Sequence, residues 1–235
     1  VNVYLEDWSN GMKNSLDYVF QLMDGLRDRG IRRFMLPDTL GILNPMQVQE
    51  FMGVMVQRYP DTHFDFHGHN DYDLAVSNVY AAVLAGAKGL HTTINGLGER
   101  AGNAPLASVQ AILRDHFGAE TSINEERLND VSRLVESYSG ITIPANKPIV
   151  GENVFTQVAG VHADGDNKNN LYCNELLPER FGRKREYALG KTSGKANIRK
   201  NLEALGLELD DEAMRKVTAR IIELGDKKEV VTQED

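Results

Sequence analysis

The sequence predicts an α/β protein: the C-terminal half of a TIM (β/α)8 barrel followed by a small, mostly helical subdomain. Three observations lead there. Strand-like apolar runs alternate with helical patterns at intervals of about 30 residues, the rhythm of parallel βα units. Polar residues close each of those runs at its C-terminal end, where a barrel gathers its functional groups. After residue 120 this rhythm stops, and Gly-, Asn- and Pro-rich sequence leads into amphipathic helices. The boundaries expected from this pattern are 1–120 for the half-barrel, 121–190 for a helix plus an irregular linker, and 191–235 for a helical subdomain.

The strand-like runs are "VNVYLED", "RRFMLPDT", "HFDFHGHN" and "GLHTTING". Behind the first, Leu16, Val19, Phe20, Met23 and Leu26 fall at helical spacing and Gly30 stops the helix. Behind the second, Asn44 and Pro45 read as N-cap and first helical residue, with Val48, Phe51, Met52 and Met55 as the apolar stripe. The third helix runs from Leu74 through Asn78 and Ala81 toward Gly86, and the fourth is "PLASVQAILRDHF". Ser122 and Glu125 fit a capping box for a helix bearing Leu128, Val131, Leu134, Val135 and Tyr138 on one face. The segment from Lys195 onward gives two more amphipathic helices, ending at Gly225. The alternative for the first four units is a small open sheet. Such a sheet would hold a ligand at a topological switch point near a glycine-rich first turn, whereas here the polar clusters recur at every strand end.

Composition narrows the function classes. A chain of 235 residues with 41% hydrophobic content can bury a real core, and no apolar run approaches the about 18 residues of a membrane span. A net charge of −8 argues against nucleic acid or an anionic membrane as the main partner. The single cysteine, Cys173, rules out an intrachain disulfide and fits a reducing, cytoplasmic setting. The opening "VNVYLEDW" has neither the basic nor the apolar region of a signal peptide. It also lacks an initiator methionine, so the chain reads as cut from something longer.

Two motifs carry chemistry. His67 and His69 are i, i+2 on a strand and point to the same face, roughly 6.5 Å apart along it. At the end of a barrel strand that face is the interior mouth, which suits two imidazoles sharing one ion. Zn²⁺, Mn²⁺, Fe²⁺, Co²⁺ and Mg²⁺ all remain open, and a surface histidine pair is the plain alternative. "NGLGERAGN", residues 95–103, is not a dinucleotide fingerprint and does not open a first βαβ unit; its glycines could simply permit a tight turn. "GKTSGK" imitates the end of a P-loop, but the first glycine of that motif would fall on Arg185.

"HGHND", "NGLGERAGN" one βα unit later and "GVHADG" beyond the barrel together resemble the acyl-CoA-dependent 2-oxoacid condensing enzymes. These are the 2-isopropylmalate, homocitrate and citramalate synthases of the metal-dependent TIM-barrel lyase superfamily. "YLEDWSNG", "LPDTLG" and "LPERFGRKREYALGKTSGKA" are most similar to the citramalate synthase branch. The resemblance implies condensation of acetyl-CoA with a 2-oxoacid, for that branch pyruvate to give citramalate in isoleucine biosynthesis; the alternative is a 2-isopropylmalate synthase of leucine biosynthesis or a homocitrate synthase. It implies a divalent metal ion (Mn²⁺, Mg²⁺, Zn²⁺ or Co²⁺) held by His67, His69 and Asn103. It also implies that the remaining ligand, an aspartate in an arginine-aspartate-glycine strand, lies outside this chain together with four barrel strands. The fragment alone is then expected to be inactive.

The resemblance makes Glu6 the strand-end base and Thr39 a ligand of the oxoacid carboxylate; without it, one is an acid closing a strand and the other part of a turn. Tyr4 lies two residues before Glu6 and so faces the same way, where its ring would narrow the pocket toward pyruvate or else pack in the barrel core. His162 and Asp164 resemble residues that reach the active site of the other subunit, which implies a homodimer. Asn170, Leu171 and Tyr172 would lie around acetyl-CoA. Two rivals stand beside this reading: a lyase or aldolase of the same superfamily, and a catalytically incomplete dimerisation module.

Overall fold

A computed structural model of the chain describes residues 1–157, 174–190, 193–227 and 231. They form two compact units, one of residues 1–123 with 130–142 and the other of residues 124–129 with 143–235. The first unit runs β1 (Val3–Tyr4), α1 (Trp8–Asn14), α2 (Leu16–Arg27), β2 (Arg33–Asp38), α3 (Pro45–Arg58), β3 (His63–Gly68), α4 (Ala75–Leu84), β4 (Gly89–His91) and α5 (Leu106–Phe117), and takes in most of α6 (Leu128–Ser139). Its sheet has the order β1-β2-β3-β4 with every pair parallel. Four consecutive parallel βα units form the partial barrel expected.

Alternation along the strands separates two environments. Phe34, Leu36, Phe64 and Phe66 are buried on the helix side, in one core with Met23, Val48, Met52 and Met55. The opposite face carries register rows Tyr4–Met35–Asp65–Gly89 and, one level nearer the strand ends, Pro37–His67–His91. The lower row holds a buried carboxylate. Asp65, whose side chain is fully buried, accepts from Arg33 Nε (2.9 Å), Asn2 Nδ2 (2.8 Å) and His63 Nε2 (2.7 Å). Burial alone would raise the Asp65 carboxyl, but the hydrogen bonds from Arg33 and His63 outweigh it and hold the group below its ordinary value of 3.8. Gly89 makes this possible, because a Cβ there would overlap Asp65 Oδ1.

Helix ends follow local chemistry. Asn44 accepts from Gln47 N while Gln47 Oε1 accepts from Asn44 N, a complete capping box with Pro45 at the first position. The first helical pattern, Leu16 to Leu26, is α2; α1 precedes it as a helix that the pattern did not mark, and Ser15, with φ −151°, separates the two. Ahead of α6 the expected Ser122–Glu125 capping box does not form. Asn124 accepts from Glu126 N instead and opens a single 3-10 turn, Glu125–Arg127. The Glu125 carboxylate is engaged by both Nε (2.6 Å) and a terminal nitrogen (2.8 Å) of Arg180, a buried bidentate pair that a short-range motif cannot anticipate. On α6 Leu128 is buried, whereas Val131, Leu134 and Tyr138 of the expected apolar face are exposed.

In the second unit β5 (Thr156–Gln157) pairs parallel with β6 (Glu186–Tyr187). Helices α7 (Lys195–Leu205) and α8 (Asp211–Asp226) enclose Ile198, Met214, Ile221 and Leu224, joined by Val231. Asp210 caps α8 by accepting from Ala213 N (2.7 Å). Among the described residues no helix is long and apolar enough to cross a membrane.

Substituting Gly89→Ala is expected to cost about 1–3 kcal/mol by forcing a methyl against the Asp65 carboxylate, whereas Lys88→Ala, at an exposed neighbour, should stay within about 0.5 kcal/mol. Urea unfolding measures both. Because folding depresses the Asp65 pKa, its stabilisation is complete above about 3.8 and lost as pH falls through the lower folded-state value. Asp65→Asn should therefore flatten that part of the acid-unfolding profile.

Candidate active site at the strand ends

The C-terminal ends of the four strands bring together the expected site residues of the first unit. Tyr4 is in β1 and Glu6 just beyond it, Thr39 follows β2, His67 is in β3 with His69 past its end, and Asn103 follows β4. His67 and His69 have ring centroids 5.0 Å apart at an interplanar angle of 84°. Asn103 reaches them through the backbone: an isolated antiparallel bridge pairs it with His69, and Ala104 N donates to Gly68 O (3.2 Å). The glycine-rich loop allows this fold-back. Gly102 has φ +84° and packs so closely on Gly96 O that a Cβ would overlap it.

The cluster is short of partners. His67 Nδ1, His69 Nδ1 and Asn103 Oδ1 are all buried without a hydrogen-bond partner. Buried polar atoms are normally satisfied, so three in one cluster mark a place where something else binds or packs. Burial, reinforced by the neighbouring His69 and His91 and opposed by Glu6, pushes the His67 imidazole down to about 4. At neutral pH His67 is thus uncharged and keeps a lone pair. Two neutral-capable imidazoles and an amide oxygen fit a divalent cation of intermediate hardness. Among the described residues no group of three His, Cys, Asp or Glu side chains is placed to hold a metal ion.

Glu6 and Thr39 are directly coupled. The Thr39 hydroxyl donates to Glu6 Oε1 (2.9 Å) and accepts from Asp7 N (3.0 Å). Its one proton is therefore committed to the Glu6 carboxylate. Tyr4 is 52% exposed, with its hydroxyl 3.3 Å from His91 Nδ1 and its ring edge-on to the His91 ring at 5.7 Å. The turn after β3 is organised by Asn70. Its Oδ1 accepts from Ala75 N (3.1 Å) and its Nδ2 donates to Asp73 Oδ1 (3.1 Å), so Asn70 serves the first turn of α4 where the N-cap Leu74 has no side-chain bond. His162, Asp164, Asn170, Leu171 and Tyr172 lie outside the described residues.

His91 is the residue that sequence reasoning missed. It sits across from His67 in the β3–β4 register with ring centroids 5.9 Å apart, and contacts Tyr4 on its other side. The signal was present in "GLHTT", but becomes legible only when the two strands are aligned. Burial lowers the His91 pKa as well, with Asp65 opposing and Arg33 reinforcing that shift.

Residues 4–135 match the family described as HMGL-like. The chain belongs to the HMGL-like family. Residues 149–229 of this HMGL-like chain further match the description "Homocitrate synthase post-HMGL domain-like". A putative (R)-citramalate synthase of Methanopyrus kandleri is 38% identical over 238 residues, covering 100% of this chain and 46% of that protein. A homocitrate synthase of Sulfolobus acidocaldarius is 42% identical over 204 residues, covering 87% of this chain and 43% of its own length. Among solved structures, the HMG-CoA lyase of Bacillus subtilis superposes with a TM-score of 0.50 at 25% identity, over 55% of this chain and 45% of the lyase. The HMGL-like chain thus spans less than half the length of these relatives.

Asn70→Ala should cost about 1 kcal/mol by leaving the first turn of α4 uncapped. Chemical denaturation gives the value, and an unchanged midpoint would show that solvent replaces the Asn70 oxygen at no cost.

Proposed function

We propose that this chain is the part of a 2-oxoacid:acetyl-CoA condensing synthase that carries the C-terminal half of its barrel and the subdomain beyond, with pyruvate as the oxoacid and citramalate as the product. The observation that carries the reading is the cluster of His67, His69 and Asn103, with its unpartnered buried atoms beside the Glu6–Thr39 pair. The citramalate and homocitrate synthase relatives, and the homocitrate synthase post-HMGL match over residues 149–229, favour a synthase over a lyase. The homocitrate synthase relatives also support a second reading, in which 2-oxoglutarate replaces pyruvate.

In this proposal His67, His69 and Asn103 are ligands of a divalent cation, which when bound would polarise the keto carbonyl of the oxoacid as a Lewis acid. Thr39 donates to the oxoacid carboxylate. Doing so requires its hydroxyl to leave Glu6, so substrate binding releases the carboxylate that then takes a proton from the acetyl methyl group. One event thus exchanges a ground-state hydrogen bond for a free base. Tyr4, steadied by His91, forms the wall that limits the oxoacid side chain. His162 assists proton transfer together with Asp164, and Asn170, Leu171 and Tyr172 surround acetyl-CoA, supplied across a homodimer.

The reading is tested in a form of the protein that supplies all eight barrel strands. Coenzyme A release should be greatest with pyruvate, and greater activity with 2-oxoglutarate would favour the homocitrate reading. Glu6→Gln should lower kcat by about 10²–10⁴-fold with little effect on oxoacid affinity. Tyr4→Ala should shift preference toward branched oxoacids by about tenfold or more; unchanged pyruvate preference would remove Tyr4 from the pocket. Chelation of divalent ions should abolish turnover, and readdition of Mn²⁺ or Co²⁺ should restore it. A stable dimer inactive on every oxoacid would favour the dimerisation module.

A further inference from the structure

We infer that Arg100 is a positioning residue, a clamp that fixes the loops after β2, β3 and β4 against one another so that Thr39, His69 and Asn103 converge. Its use in catalysis rests on the function proposed above, but the clamp itself is a statement about geometry. Arg100 has φ +55° in the loop after β4. Its Nε donates to Asp71 Oδ1 (2.7 Å) and one terminal nitrogen donates both to Asp71 Oδ2 (3.0 Å) and to the carbonyl oxygen of Thr39 (2.8 Å). One planar guanidinium therefore touches all three loops, with Asp71 two residues beyond His69 and Arg100 three residues before Asn103.

Backbone bonds link the same loops at their base. His69 N donates to Asp38 O (3.3 Å) and Asn70 N to Gly102 O (2.9 Å), while Asn103 N to Gly96 O (2.9 Å) folds the loop after β4 on itself. The buried Asp38 carboxylate accepts from Ile42 N and Leu43 N, both at 3.0 Å, and so shapes the loop after β2 from within. These contacts leave the rim open, and Arg100 closes it. Among the described residues no hydrogen bond joins Arg100 to Glu6, His67, His69 or Asn103, so it acts through Thr39 and Asp71 and not on the reacting atoms. The geometry is specific to arginine. Lysine presents a compact ammonium and cannot offer two parallel N–H bonds to a carboxylate with a third to a carbonyl from one plane.

The test is amide hydrogen exchange on the full chain and on Arg100→Gln, Arg100→Lys and Asp71→Asn. The clamp predicts exchange about tenfold faster or more at His69, Asn70 and Asn103 in all three variants, the scale of one charge-assisted hydrogen bond. It predicts no change at Lys88, whose amide donates to Phe64 O at the far end of the same sheet, and a midpoint lowered by no more than the loss of that one hydrogen bond. Uniform acceleration with a lowered midpoint would make Arg100 a general stabiliser and overturn the inference, as would no acceleration anywhere. A Co²⁺ titration of a form that supplies all eight barrel strands adds the link to the site: affinity should fall about tenfold in each variant, with no further loss when Arg100→Gln and Asp71→Asn are combined. If that form, unsubstituted, bound no Co²⁺, that would count against the proposed metal site, and the exchange pattern would still decide the clamp. The mild Asp71→Asn change keeps the test available should Arg100→Gln fail to fold.

Discussion

The parallel register between β2 and β3 is the constraint on which everything else here depends. It runs from Arg33 opposite His63 to Asp38 opposite Gly68, and it aligns the two longest strands of the sheet. Because side chains alternate, a slip of one residue would send His67 toward the helices and turn Phe66 toward the barrel interior. The aromatic side chains at Phe34, Phe64 and Phe66 prevent that slip, since exposing any one of them would give up much of its hydrophobic stabilisation. Core packing on one face thus determines the chemistry on the other.

On that interior face two levels of β3 meet opposite fates. Asp65 lies at the lower level and is enclosed by Arg33, Asn2 and His63, with its charge fully answered. His67, two residues on, shares the same face but keeps an unsatisfied ring nitrogen, as do His69 and the Asn103 amide oxygen nearby. A network that is satisfied stabilises the fold; a cluster that is not satisfied is a standing cost that a ligand removes. The strand therefore combines a rigid base with a receptive rim within about 7 Å of chain.

Much of this was legible in the sequence because it depends on local pattern. The βα rhythm gave the partial barrel, and Asn44–Pro45 marked the start of α3. The H-x-H spacing pointed to two neighbouring imidazoles, and the rings of His67 and His69 do lie 5.0 Å apart, although His69 falls past the end of β3. What stayed hidden depends on distant partners. Ser122 and Glu125 had capping-box spacing, yet Arg180, far along the chain, takes the Glu125 carboxylate. His91 acquires meaning only opposite His67, and Arg100 only with Asp71 and Thr39 beside it. The bond from Thr39 to Glu6 joins two residues that sequence reasoning had assigned separate duties. Spacing rules read neighbours along the chain, whereas these pairs are made by the closure of the sheet.

The outer strands of the sheet are the shortest in it: β1 covers Val3–Tyr4 and β4 covers Gly89–His91, against six residues each for β2 and β3. Peptide groups on an uncovered strand can recruit any extended chain, and the hazard grows with the length of the exposed ladder. Here the ladders end almost as soon as they begin, and Gly89 stands where one of them starts. The described ladders of β1 and β4 thus offer an extended chain few peptide groups to pair with.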